Sequence, residues 1–427
     1  MDFTGKKVLI GGGAGFIGTN LALALTKRGA RLRLTVHEKP LQAAIPDAEV
    51  FSLDLRQPEH CARAVEGMDY VFLCAAHTSG AAVIRATPLV HITPNVLINT
   101  LMLEAAHRAR VSRFCFISSG AAYPPTADRP VREDEMFNGD PHEVYFAAGW
   151  MKRYAEILCR TYAEKIPNPM PTVVVRPSNV YGPYDKFDFG VSHVTAALIR
   201  RVVERHSPLE VWGNGQDIRD LVYVDDFIEG VLTAFGADRP YLAVNICAGA
   251  GHSVREILDK ILKVDDYDGA DVRYDPSRPS TIPVRLMDNA LARQLGFEAR
   301  TSLEDGLRRT IDWYRQTRTT SRRGAHEVRV SKGQAVRGAL KRPAEALIAF
   351  GHRALDRQCD AVLVALRLGQ DGVDRLVLAW IVDVFQALGG RARCRRHAEH
   401  GRRLAQQAGI AHHELAADLR RDAVFQP

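Results

Sequence analysis

Nowhere in these 427 residues do roughly 18 uncharged apolar residues follow one another, the length a membrane helix requires; the late candidate at 376–382 stops far short. No membrane span is expected. The start lacks the charged leader, apolar stretch and small-residue cleavage site of an export signal, and runs directly toward a strand, so a cytoplasmic location is expected. Cysteine is scarce and odd in number: the 7 residues Cys61, Cys74, Cys115, Cys159, Cys247, Cys359 and Cys394 are scattered, mostly within apolar runs. That distribution suits reduced core thiols and excludes a disulfide framework; none stands as an obvious nucleophile. There is no internal repeat.

What charge there is sits unevenly. The chain carries a net +7, but residues 319–427 hold 19 Arg and Lys against 11 Asp and Glu, leaving 38 against 39 for the rest. The basicity therefore belongs to the tail. A basic tail suits nucleic acid, an anionic membrane or an acidic protein, whereas the plainer reading is a solvated Arg-rich helix surface. The plainer reading is adopted, and no nucleic-acid partner is expected. Cys394, His397, His400, His412 and His413 depart from the tight paired spacing of zinc sites, so no metal is expected.

Short apolar runs at 7–10, 32–36, 50–53, 70–74, 114–117 and 173–175 alternate with helical stretches such as 96–109. Such alternation predicts a parallel sheet covered on both faces, an α/β doubly wound fold with its ligand crevice at the carboxyl ends of the strands. A chain of this length exceeds what one core supports. The expected organisation is a nucleotide-binding domain at 1–175, a smaller substrate-binding subdomain at 176–318 interleaved with it, a linker at 319–343 and a basic helical extension at 344–427.

Gly12, Gly15 and Gly18 follow the first apolar run and open the next helical stretch. The first permits a tight turn, the second lets backbone approach a pyrophosphate and the third packs helix on strand, while the helix N-terminus supplies amides for phosphate. This is a Rossmann-type loop, and NAD or NADP is the expected cofactor. Within the second run and just after it, Arg33, His37 and Lys39 favour the 2′-phosphate of NADP, while Glu38 favours the ribose of NAD. NADP is slightly favoured.

GGGAGFIG at 11–18, Asp54-Leu55, Ala75-Ala76, Asn99-Thr100, Ser118-Ser119 and RPSNVYGP at 176–183 resemble the extended short-chain dehydrogenase/reductase superfamily, the NAD-dependent epimerase/dehydratases. The stretches 181–201 and 211–226 are similar to the GDP-L-fucose synthase family, over roughly residues 5 to 315. The resemblance implies a nucleotide-sugar epimerase or reductase, a GDP-linked substrate and a homodimer. It implies cofactor contacts at Gly12, Gly15, Phe16, Ile17, Gly18, His37, Asp54, Leu55, Ala75, Ala76 and Lys152. It also implies substrate contacts at Asn179, Arg201, Trp212, Arg219 and Arg285, since a diphosphate demands Arg forks.

The resemblance further implies that Ser119 hydrogen-bonds the reacting oxygen and that Lys152 lowers the pKa of a tyrosine four residues before it. That position is Ala148. Tyr145 lies seven residues before Lys152, about 10 Å along a continuous helix. Three readings stand: a non-helical approach at 146–149, loosened by Gly149, swings Tyr145 inward; another group replaces it; or hydride chemistry is lost. His193 matches the family's proton-exchanging histidine, while the companion cysteine position is Ala121. A second function class therefore remains: an NAD(P)-binding protein with weak or no redox catalysis, acting through its basic tail.

Overall fold

The computed structural model describes residues 1–318 except 79–86, 88, 127–128 and 279–281. The expected linker and helical extension, with Cys359, Cys394 and the tail histidines, lie outside the described residues.

Strands and helices alternate as β1 (Lys7–Gly11), α1 (Phe16–Thr26), β2 (Arg31–Val36), β3 (Glu49–Ser52), α2 (Pro58–Val65), β4 (Tyr70–Leu73), α3 (Leu89–Arg108), β5 (Arg113–Ile117), α4 (Phe146–Glu164) and β6 (Thr172–Pro177). There follow β7 (Asn179–Tyr181), α5 (Val194–Val203), β8 (Leu209–Trp212), β9 (Ile218–Tyr223), α6 (Val224–Phe235), β10 (Tyr241–Ile246), β11 (Gly251–Ser253), α7 (Val254–Val264), β12 (Val272–Asp275), β13 (Val284–Arg285), α8 (Ala290–Gln294) and a helix, α9, over 303–318.

Seven strands form one parallel sheet in the order β3-β2-β1-β4-β5-β6-β10. Successive strand residues serve opposite faces. Val8, Ile10 and Phe72 join Leu21, Leu25 and Phe235 of α1 and α6 on one side, and Leu9, Val71 and Leu73 join Met102, Leu103 and Ala155 of α3 and α4 on the other. From β1 the chain proceeds to β2 and β3 on one flank, then crosses to β4 on the other. The crevice this reversal opens lies at the carboxyl ends of β1 and β4, where Gly11 pairs with Leu73.

The second half contributes β10 to that sheet and builds a smaller one around β9. There β7 and β13 run parallel to β9 and β11 antiparallel, while β8 and β12 pair separately. In the short β9–β13 ladder, Arg219 stands directly opposite Arg285.

Candidate active site

Backbone geometry builds the first part of the site. Gly12 has φ +84°, and a Cβ there would sit 2.7 Å from the Ala75 backbone; a Cβ on Gly18 would sit 2.2 Å from the Gly12 carbonyl. Only glycine fits either place. The Gly12 amide donates to Thr35 Oγ1 at 3.0 Å and the Gly13 amide to the Thr35 carbonyl at 2.9 Å, fixing the loop against β2. Helix α1 starts with Gly15 as its N-cap and no capping side chain, so Phe16, Ile17 and Gly18 open a helix whose first amides and positive dipole suit a pyrophosphate.

The rim of this crevice corrects one expectation. Arg33 does not face the cofactor: its Nε donates to Glu49 at 2.8 Å, and its Nη1 donates to the carbonyls of Ala64 at 3.1 Å and Glu66 at 2.8 Å. Lying between Leu32 and Leu34 of β2, it points to the opposite face and closes the C-terminal end of α2. His37, 3.7 Å from Glu38, stays at the exposed rim. The Asp54 carboxylate accepts from Arg56 Nε and Nη2, both at 2.8 Å, and this pairing holds it down to about 2. Leu55 is buried in the core.

Ser119 and Lys152 meet at the carboxyl end of β5. Ser119 caps the 3-10 turn Gly120–Ala122 by accepting the Ala121 amide at 3.1 Å, so its own proton remains available to donate. Lys152 Nζ donates to the carbonyl of Ile117 at 2.8 Å and lies 4.6 Å from the centre of the Phe116 ring. Burial disfavours its charge and brings it down to about 8.

Tyr145 belongs to different company. The segment expected to be non-helical is the first turn of α4, preceded by a 3-10 turn, Glu143–Tyr145. Gly149 is there for close approach, because a Cβ would stand 2.6 Å from the Pro141 ring. Nothing therefore swings Tyr145 toward Lys152. Its ring lies 5.0 Å beneath the Arg285 guanidinium, and its hydroxyl is within electrostatic reach of Arg219. His193, the N-cap of α5, also lies near Arg285; its own surface is exposed, and the protein packed around it, with Lys186 and Arg285, holds its pKa below the usual value.

The two arginines differ in how they are satisfied. Arg219 donates to the carbonyls of Ile218 at 2.9 Å and Ile282 at 2.7 Å and pairs with Asp217 at 3.0 Å. Arg285 has Nε and Nη2 buried with no hydrogen-bond partner among the described residues. Asn179 donates to the Asp220 carbonyl at 3.1 Å, on the same small sheet. Arg201 stacks on Phe189 at 4.6 Å, and Trp212 is half exposed with Arg278 at 5.4 Å from its ring.

A buried polar network underlies the site and was not anticipated. Glu156 accepts from Ser118 Oγ at 2.5 Å and from Arg176 Nη2 at 2.6 Å, and Arg176 Nη1 donates to the Tyr123 hydroxyl at 2.7 Å. Tyr123 in turn donates to Asn245 Oδ1 at 2.7 Å, tying β5, α4, β6 and β10 together. The signal was present: Glu156 stands one helical turn after Lys152, on the same face.

Comparison with known proteins fits this arrangement. Residues 8–247 match the model of the NAD dependent epimerase/dehydratase family. The chain belongs to that family. It is 30% identical over 328 residues to GDP-L-fucose synthase of Escherichia coli, covering 72% of this chain and 96% of that one. It is 29% identical to GDP-mannose 3,5-epimerase 1 of Oryza sativa subsp. japonica, over 73% and 82%. Among solved structures it resembles the UDP-glucose 4-epimerase of Thermotoga maritima, with TM-score 0.66, 27% identity and coverage of 73% and 99%. Another is a GDP-6-OMe-4-keto-L-xylo-heptose reductase of C. jejuni, with TM-score 0.63, 25% identity and coverage of 73% and 98%.

As a member of the epimerase/dehydratase family the chain is of an NAD(P)-dependent enzyme class acting on nucleotide sugars. Among the described residues, no helix is long and apolar enough to cross a membrane. The turn of α4 before Lys152 carries Ala148, which has no hydroxyl.

Proposed function

We propose that this chain binds NAD(P), NADP slightly favoured, at the glycine loop and a nucleoside-diphosphate sugar, GDP-linked, across the Arg219–Arg285 pair. There it acts as an epimerase or reductase on a hexose or keto-deoxyhexose. One observation carries the reading. Two guanidinium groups stand opposite each other in one ladder, and one of them has two buried, unpartnered donors. Like charges so placed destabilise a sheet unless an anion is shared between them, and a diphosphate matches a pair of Arg forks. The GDP preference rests on the names of the GDP-L-fucose synthase and GDP-mannose epimerase relatives.

The glycine positions that no Cβ can enter, with the uncapped start of α1, fit a dinucleotide, which would supply a hydride acceptor or donor for a sugar carbon. Ser119 donates its hydroxyl proton in a hydrogen bond to the sugar oxygen. Lys152, brought down to about 8, is largely protonated at neutral pH yet close enough to exchange, so it supplies the proton that oxygen needs. His193, its pKa lowered by the surrounding protein and by Lys186 and Arg285, takes a proton from the carbon beside a ketone and returns it.

Ala148 favours a second reading, a cofactor-binding protein with weakened or absent redox catalysis. The experiment separates the two. The purified chain is scanned for NAD(P)H absorbance and incubated with GDP-, UDP-, dTDP- and ADP-sugars in deuterated water, with mass and NMR readout. Turnover or solvent exchange that falls at least a hundredfold in Lys152→Ala is the expected result. Retained cofactor with no turnover or exchange on any sugar sinks the enzyme reading.

A further inference from the structure

We infer that Tyr145 is a positioning residue for the nucleotide-sugar diphosphate, holding the Arg285 guanidinium against its ring, and is not the proton donor of this site. The inference rests on the proposed reading of the Arg219–Arg285 pair as the diphosphate clamp.

The geometry is one of contrasts. Arg219 needs no help, because backbone carbonyls and Asp217 fix its fork. Arg285 has no such scaffold for Nε and Nη2, and a long side chain with free donors loses rotamer freedom when it binds. What holds it is the Tyr145 ring, 5.0 Å from the guanidinium carbon. An aromatic face against a cation attracts it without using its N–H groups, so the unpartnered Nε and Nη2 donors remain for an anion. Tyr145 reaches this place because α4 begins immediately after it, with the Glu143–Tyr145 turn and the Gly149–Pro141 contact setting the start of the helix. Lys152 meanwhile is engaged with the Ile117 carbonyl at the end of β5. The tyrosine nearest in sequence to the empty catalytic position thus serves the anion rather than the proton.

The test is titration calorimetry of GDP and UDP against the full chain without added cofactor. Tyr145→Leu keeps bulk but removes the aromatic face, and the affinity of the better nucleotide is expected to fall about five- to thirtyfold. Tyr145→Phe keeps the ring and restores affinity to within about twofold. NADPH binding, read in parallel, reports that each variant is folded and leaves the glycine loop as an internal control. If Tyr145→Leu binds as tightly as the unaltered chain, or if Tyr145→Phe is as weak as Tyr145→Leu, the clamp role is overturned while the proposed function stands. If the unaltered chain binds neither GDP nor UDP, the reading of the arginine pair fails, and this inference with it.

Discussion

The glycine loop and the first turns of α4 both line the carboxyl ends of one sheet, yet they answer to different kinds of constraint. At the loop, the demand is on backbone: Gly12 at positive φ against Ala75, and Gly18 against the Gly12 carbonyl, admit no other residue. At α4, the demand is on side-chain chemistry, and there Ala148 stands four residues before Lys152 while Tyr145 packs against Arg285. A steric requirement has one solution. A hydroxyl at a given point in space has several, or none, and the scaffold folds either way.

The comparison breaks most visibly if chemistry is put back. Ala148→Tyr places a phenol one turn before Lys152, roughly 6 Å away on the same helix face. If the missing hydroxyl is what limits hydride transfer, single-turnover absorbance of NAD(P)H with a bound sugar nucleotide should quicken by about a hundredfold or more. A folded variant with an unchanged rate would mean that another group already supplies the proton.

The loop side should respond in the opposite manner, losing what no substitution can replace. Gly12→Ala combines a strained φ, which costs about 1–2 kcal/mol for an L-residue, with a methyl group pressed 2.7 Å from the Ala75 backbone. Fluorescence titration with NADPH should show at least roughly tenfold weaker binding, with GDP affinity little altered. Equal loss of both ligands would show that the two subsites are not separable.

The same division decides what could be read from sequence. The strands at 70–74 and 114–117 announce themselves because a buried parallel strand is an apolar run, and the glycines because their spacing encodes a turn. Arg33 misled because a basic residue within β2 says nothing by itself of which face it occupies; the alternation with Leu32 and Leu34 sends it to α2. Tyr145 and Gly149 misled because flexibility was inferred where the Pro141 ring required a missing side chain. The pairing of Arg219 with Arg285 was beyond reach, since only the β9–β13 ladder brings together residues so distant in sequence.

A further effect is expected where the second half of the chain meets the glycine loop. The segment after β7 is stitched to the glycine loop: Asn20 donates to the Pro183 carbonyl at 3.0 Å, and Gln42 donates to the carbonyls of Ala14 at 3.0 Å and Tyr184 at 3.4 Å. Asp185 is buried just beyond, accepting the Lys186 amide at 2.7 Å, and burial pushes its carboxyl up to about 7. Its folded value is thus raised above the usual 3.8. Below the unfolded value the acid is protonated in both states; between there and about 7 the folded chain keeps a proton the unfolded chain has lost, so stability falls as pH rises through that window. Above it the full cost of a charged, buried carboxylate is present. Asp185→Asn removes that charge, so its thermal midpoint should exceed that of the unaltered chain at pH 8, by an amount equivalent to at most about 4 kcal/mol, and converge with it toward pH 4. A gain that is the same at both pH values would mean that the amide packs better than the acid and that the charge at this junction is already satisfied.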